Sequence, residues 1–170
     1  GDVFLGGDLN HKPCKNVVEV EVFNKADTRI INLEQPISDN NFVEDKSTLY
    51  TDSFALNQLK DLKVNAVNLA NNHIQDKGLV AIDETTRHLD SANIGHFGGG
   101  KNIFHAEKPY WLTDEIALLG YCEFDKPYLR RIVVATDNSP GVNPLRLKKI
   151  KSDLNKLPTG KKAILYFHWG

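Results

Sequence analysis

Val64-Asn-Ala-Val-Asn-Leu-Ala-Asn-Asn-His-Ile-Gln-Asp-Lys-Gly78 runs from an apolar strand-forming stretch into an amide pair, a histidine, an aspartate and a glycine. Such side chains, placed where a buried strand opens into a loop, are what a metal or phosphate site at a sheet edge requires. After it, Leu79, Ile82, Thr86 and Leu89 recur at helical spacing, the pattern of an amphipathic helix packed on a sheet. Before it, Asp52-Ser53 offers an N-cap, and Leu56, Leu59 and Leu62 continue at helical spacing. Strand, helix and strand in alternation predict an α/β fold with a parallel sheet.

Working outward, Thr28 to Pro36 is a β-rich run stopped by proline, which leaves Glu34 at a strand's carboxyl end. Asn16 to Asp27 reads as a short helix, and Ser38 to Thr51 as a loop with a strand at its close. Asn93 to Phe97 is a short strand ending in Gly98-Gly99-Gly100, a glycine-rich turn rather than an anion cradle. Asn102 to Lys108 is one helical turn, Tyr110 to Thr113 and Glu115 to Tyr121 pair as a hairpin, and Ile132 to Ala135 is a strand. Asn143-Pro144 predicts a helix start, with Leu147, Ile150, Leu154 and Leu157 as its buried stripe and Lys148, Lys149 and Lys151 as its solvated face. The apolar strand Ala163 to Phe167 delivers His168-Trp169-Gly170.

The 170 residues are 41% hydrophobic and 25% charged, enough for one core, and a net charge of −1 supplies no basic field for nucleic acid. Cys14 and Cys122 have no metal-type spacing and read as two unpaired, partly buried thiols. No apolar run reaches membrane-spanning length. His11, His88, His96 and His105 lack partner spacing and read as surface or packing residues.

Three apolar strands thus end in Glu34, in Asn72-His73 and in His168. Right-handed crossovers bring the carboxyl ends of neighbouring parallel strands to one edge. Carboxylate, amide oxygen and imidazole together suit zinc, manganese or iron. Each residue alone also has a structural reading: Asn72 and His73 as a capped turn, Glu34 as a solvated strand end, His168 as a hydrogen-bonded core histidine. Asp2 and Asp8, in two Gly-Asp pairs, compete as an additional ligand, with Asp2 favoured by the apolar residues after it.

Gly1-Asp2-Val3, Asn32-Leu33-Glu34-Gln35-Pro36, Ala70 to Gly78, Gly98 to Asn102 followed by Ala106 and Pro109, and His168-Trp169-Gly170 are similar to the successive signatures of the bacterial capsule-synthesis CapA, or poly-γ-glutamate synthesis PgsA, family of the calcineurin-like metallophosphoesterase superfamily. The resemblance implies a layered α/β sandwich of the metallo-dependent phosphatase type: a single partial domain over residues 1–170, incomplete at its C-terminus. It implies two divalent metal ions (Mn, Fe or Zn), with Asp2 on one, Glu34 bridging, Asn72 and His168 on the second, His73 as the catalytic acid and Asp76 supporting the catalytic group or capping a helix. It implies a phosphoester or amide substrate within capsule or cell-surface polymer synthesis, a polymer-synthesis complex as partner, no nucleic acid, and a cytoplasmic or membrane-associated cell-surface location.

Two departures qualify it. Phe4 stands where the superfamily has a histidine two residues after its first aspartate, and the closing motif of glycine and paired histidines does not occur in these residues. The chain is therefore expected to bind metal weakly, without activity on its own. Two further readings stay open: a non-catalytic subunit of a polymer-synthesis or export complex, favoured by Phe4, and a cytosolic nucleotide or sugar-phosphate phosphatase.

Overall fold

The computed structural model describes residues 1–15, 17–45, 47–124 and 132–169. Strands β1 (Asp2–Val3), β2 (Ile30–Leu33), β3 (Ala66–Asn68) and β4 (Gly95–Phe97) form a parallel sheet in that order. Parallel neighbours need long crossovers. These hold α1 (Glu21–Lys25), α2 (Ala55–Asp61) and α3 (Val80–Ser91). The register places Asp2 opposite Asn32, Asn32 opposite Asn68 and Asn68 opposite Phe97, one row across all four strands.

Alternation along the strands sorts the core into two faces. Ile31, Val67 and Leu33 join Leu59, Ile82 and Leu89 of the helices in the larger cluster. Ala66 and Phe97 turn the other way, to Leu118, with Ile30, Tyr110 and Tyr166 packed against them. That second face meets a three-stranded sheet, in which β6 (Tyr110–Trp111) pairs antiparallel with β7 (Ile116–Cys122) and β7 pairs parallel with β9 (Lys162–His168). Gly120 is in close contact with the four-stranded sheet: a Cβ built on Gly120 of β7 would lie 2.0 Å from Asn68 Oδ1 and 3.0 Å from the Gly98 Cα. Gly98 also has φ +83°, a left-handed conformation that favours glycine. β5 (Gly99–Gly100) and β8 (Gly141–Val142) form a small antiparallel pair with α4 (Ile103–Ala106) against it, and α5 (Leu147–Asn155) follows β8 in the chain.

The α/β expectation holds, with its parallel sheet, and so does the hairpin. Several local expectations do not. In 16–27 the helix occupies only Glu21–Lys25, and Asn16 lies outside the described residues. Ile132 to Ala135 makes one isolated bridge, Val134 with Val142, rather than a strand, because its partner β8 has two residues. Helix α5 starts at Leu147 instead of Pro144: Asn143 N donates to Gly98 O at 2.9 Å and Leu145 N to Cys122 O at 2.8 Å, which keeps this segment extended.

The apolar stripe of α5 is not buried either. Leu147 is 66% exposed, whereas Asp153 is 2% exposed. Lys149, expected in solvent, bridges Glu107 and Asp153, while Tyr121 Oη donates to Asp153 Oδ2 at 3.3 Å. In α3 the buried side is Ala81, Ile82, Thr85 and Leu89; Thr85 takes the inward place expected of Thr86, and Leu79 is exposed. Both cysteines are free and fully buried, and burial, with the neighbouring Glu123 charge, pushes the Cys122 thiol up to about 12. Among the described residues no helix is long and apolar enough to cross a membrane.

Candidate metal centre

The carboxyl edge of the parallel sheet, met by the end of β9, gathers the expected side chains. Asp2 comes from β1, Glu34 is the first residue after β2, and His168 is the last of β9. One ligand atom from each lies within 4.8 Å of the others. Asp8, in the short 3-10 turn Gly7–Leu9, is exposed and stands outside this group, so of the two aspartates Asp2 is the one at the site. His168 Nδ1 is 3.8 Å from Asp2 Oδ1, and its Nε2 is 3.8 Å from Glu34 Oε1. Asn72, in the loop after β3, brings its Oδ1 to 2.7 Å from His168 Nε2. These four, with Cys122, Glu123, Ile132 and Trp169, line a cleft of about 270 Å³.

Local sequence explains the placement. Gln35, fully buried, accepts from Leu5 N at 2.7 Å and donates to Thr51 Oγ1 at 2.7 Å, tying the chain after β1 to the end of β2. Asn71 donates to Leu33 O at 2.8 Å and accepts from His73 N at 3.1 Å, which pins the loop beside Glu34. Gln75 accepts from Val133 N at 2.7 Å and so holds the segment that brings Ile132 to the cleft.

His73 is not in the group of three. Its Nδ1 meets Asp76 Oδ2 at 2.6 Å, and Leu49 N donates to the same oxygen at 2.7 Å. Asp76 therefore supports the imidazole and does not cap a helix: α3 begins at Val80, and Asp76 N is bound in a turn to His73 O. Phe4 lies outside the cleft lining, its ring packed over Gly6.

The electrostatics are those of crowded acids. Burial raises the Glu34 pKa; the nearby Asp2 and Asp76 charges raise it further, and His73 partly offsets them. Burial lowers the His168 pKa, opposed by Asp2 and reinforced by His73. A carboxyl group reluctant to ionise beside a second carboxylate and a neutral imidazole is a donor set short of positive charge. A divalent cation would supply that charge, and the donors are of the type that zinc, manganese and iron accept.

The expectations from sequence missed two residues, Asn32 and Asn68. Asn32 Nδ2 donates to Asp2 Oδ1 at 2.7 Å and stands 3.2 Å from His168 Nδ1, and Asn68 Nδ2 donates to Asn32 Oδ1 at 2.9 Å. Their signal was present: an asparagine inside Ile-Ile-Asn-Leu and another inside Val-Asn-Leu are polar groups in strands too apolar to carry them without partners.

An uncharacterised protein of Sinorhizobium fredii, y4sH, is 30% identical across an alignment 163 positions long that covers 88% of this chain and 35% of that protein. The chain thus spans about a third of that relative's length. The family described as bacterial capsule synthesis protein PGA_cap matches residues 1–170, and by that match over its whole length the chain belongs to the bacterial capsule synthesis protein family.

Proposed function

We propose that this chain carries the core of a metal-dependent hydrolytic centre, acting on a phosphoester or amide bond in the synthesis of a capsule or cell-surface polymer, on a scaffold of the metallo-dependent phosphatase type. The observation behind this reading is the convergence of Asp2, Glu34 and His168, far apart in sequence, to within 4.8 Å. Asp2, Glu34, Asn72 and His168 would hold manganese, iron or zinc, with Glu34 as the central carboxylate. Held there, such a cation would supply Lewis-acid chemistry, acidifying a water and polarising the bond under attack.

The chain's own residues do the rest. Asp2 and Glu34 concentrate negative charge, which selects a cation over a free anion. Asp76 holds the His73 ring through Nδ1, leaving Nε2 as the nitrogen that would pass a proton to the leaving group. Ile132 and Trp169 contribute apolar side chains to the cleft wall.

Calorimetric titration with Mn²⁺ or Zn²⁺ tests the reading: the wild type should bind, and Glu34→Ala should lose binding. Retention of wild-type affinity in Glu34→Ala would remove Glu34 from its bridging role. A second reading, a metal-holding but non-catalytic subunit, is favoured by Phe4, which leaves the centre with one imidazole. Stoichiometric metal with no hydrolysis of a generic phosphodiester or an amide would select it.

A further inference from the structure

Lys77 is 7% exposed, yet among the described residues its ammonium has no ion pair and no hydrogen bond. Its partner there is the Tyr50 ring, whose centroid lies 4.9 Å from Nζ. A cation–π contact offsets part of the cost of burying an ammonium, and an anion is the partner that completes it. Lys77 and Tyr50 both line a cavity of about 340 Å³, with Asn10, Asn41, Asp39 and Asp52 also in its wall. The cavity shares no lining residue with the cleft of the metal centre.

The loop after β2 keeps the lysine in place. Lys77 O accepts from Asn40 Nδ2 at 3.2 Å, and Glu44 N donates to Asp76 O at 2.9 Å, so the loop is fastened across the turn that carries Lys77. Further along the same loop, Leu49 N donates to Asp76 Oδ2 at 2.7 Å, which brings Tyr50 alongside.

The carboxylates of the cavity wall are committed elsewhere. Asp39 Oδ1 accepts from Ser53 N at 3.0 Å, and its Oδ2 is 3.7 Å from His88 Nε2. Asp52 Oδ1 accepts from Phe54 N at 2.9 Å, and its Oδ2 meets His11 Nε2. With one ammonium and two carboxylates around it, the cavity favours a guest with a single negative charge over a doubly charged one. Asn10 and Asn41 are exposed, and their side chains make no hydrogen bond among the described residues, so their amides can donate to the guest's oxygens.

We propose that this cavity binds a monoanionic group, a carboxylate or a phosphodiester, with Lys77 as its counter-charge and Tyr50 as the ring beside it. The site adjoins the metal centre through Asp76: Lys77 follows Asp76, which holds His73, and Tyr50 follows Leu49, which binds the same Asp76 oxygen. The guest is therefore a flanking acidic unit of the substrate whose bond the centre cleaves. That last assignment rests on the function proposed above; the anion site itself does not.

The test is a titration of chelator-treated protein with acetate, dimethyl phosphate and inorganic phosphate, at mildly alkaline pH and constant ionic strength, followed by NMR of the Lys77 side chain and the Tyr50 ring. Acetate or dimethyl phosphate should shift both signals saturably. Saturation by acetate alone identifies a carboxylate guest, by dimethyl phosphate alone a phosphodiester, and by both a site that reads charge. Saturation by neither, or tighter binding of inorganic phosphate, overturns the proposal. Lys77→Met, which keeps an apolar stem without the charge, should weaken binding roughly tenfold or more, whereas Lys77→Arg should retain most of it. Unchanged anion binding in folded Lys77→Met overturns the site. If Lys77→Met does not unfold cooperatively, Asn41→Asp should weaken binding a few-fold, and unchanged binding there overturns it equally. Anion binding by a protein that takes up no Mn²⁺ leaves this site standing while the metal reading falls; Mn²⁺ uptake without anion binding does the reverse.

Discussion

Helix α3 sets Ala81, Ile82, Thr85 and Leu89 against the parallel sheet, whereas α5, patterned just as regularly, leaves Leu147 and Leu154 in solvent and buries one acid, Asp153. The difference lies in what each helix meets. α3 is the crossover between β3 and β4 and lies on a face already lined by Val67, Leu33 and Ile31. α5 is held by charge: Lys149 and Lys156 meet Glu107 and Asp153, while Tyr121 and Asn143 donate to Asp153 from below. A period of 3.6 identifies the apolar side of a helix, and only the partner decides whether that side or the polar one faces inward.

The contrast predicts a graded set of effects. Leu89→Ala, at a fully buried site beneath α3, should cost about 3–4 kcal/mol in urea unfolding through lost burial and a cavity. Asp153→Ala should cost about 2–3 kcal/mol, since it strips partners from Tyr121 and Asn143 while Lys149 keeps Glu107. A value for Asp153→Ala near zero would mean that the charge network does not anchor α5.

Acid should separate the two helices further. Burial opposes the charge of Glu107, but hydrogen bonds from Lys149 and Lys156 outweigh it and hold the carboxyl below its usual 4.5. The folded state therefore releases this proton more readily than the unfolded chain, so the contribution is full above 4.5 and is lost as pH falls through the folded value. Unfolding midpoints measured down the acid limb should fall less steeply in Glu107→Gln than in wild type. The alkaline side mirrors this: hydrogen bonding by Glu107 raises the Lys156 pKa above 10.5 despite burial, and that contribution is lost as pH rises through the folded value. At the small end, Leu147→Ala should change stability by no more than about 0.5 kcal/mol. A loss as large as that of Leu89→Ala would show that the α5 stripe is covered in solution.

The same contrast explains what sequence could and could not disclose. Glu34 and Asn72 were legible because each follows an apolar strand of one parallel sheet, whose carboxyl ends meet at one edge, whereas His168, read by the same rule, reaches that edge from the end of β9 in the other sheet. The α5 stripe misled because Asp153 and Glu107 lie 46 positions apart, and no local pattern reveals that Lys149, between Leu147 and Ile150, will be spent on them. Asn143-Pro144 misled for a similar reason: a good local helix start was overruled by backbone pairing to Gly98 and Cys122. Asn32 and Asn68 could have been found by asking why an amide interrupts each of two adjacent buried strands.

The contact between Gly98 and Gly120 has a dimensional consequence. Asp2 and Glu34 ride on one sheet and His168 on the other, so the gap between the sheets is also the span of the site's jaws. Gly120 stands against Asn68 and Gly98 with no room for a side chain, so its lack of one lets β7 approach β3 this closely. A single methyl group added at Gly120, remote from every ligand in sequence, would widen the grip at the far end.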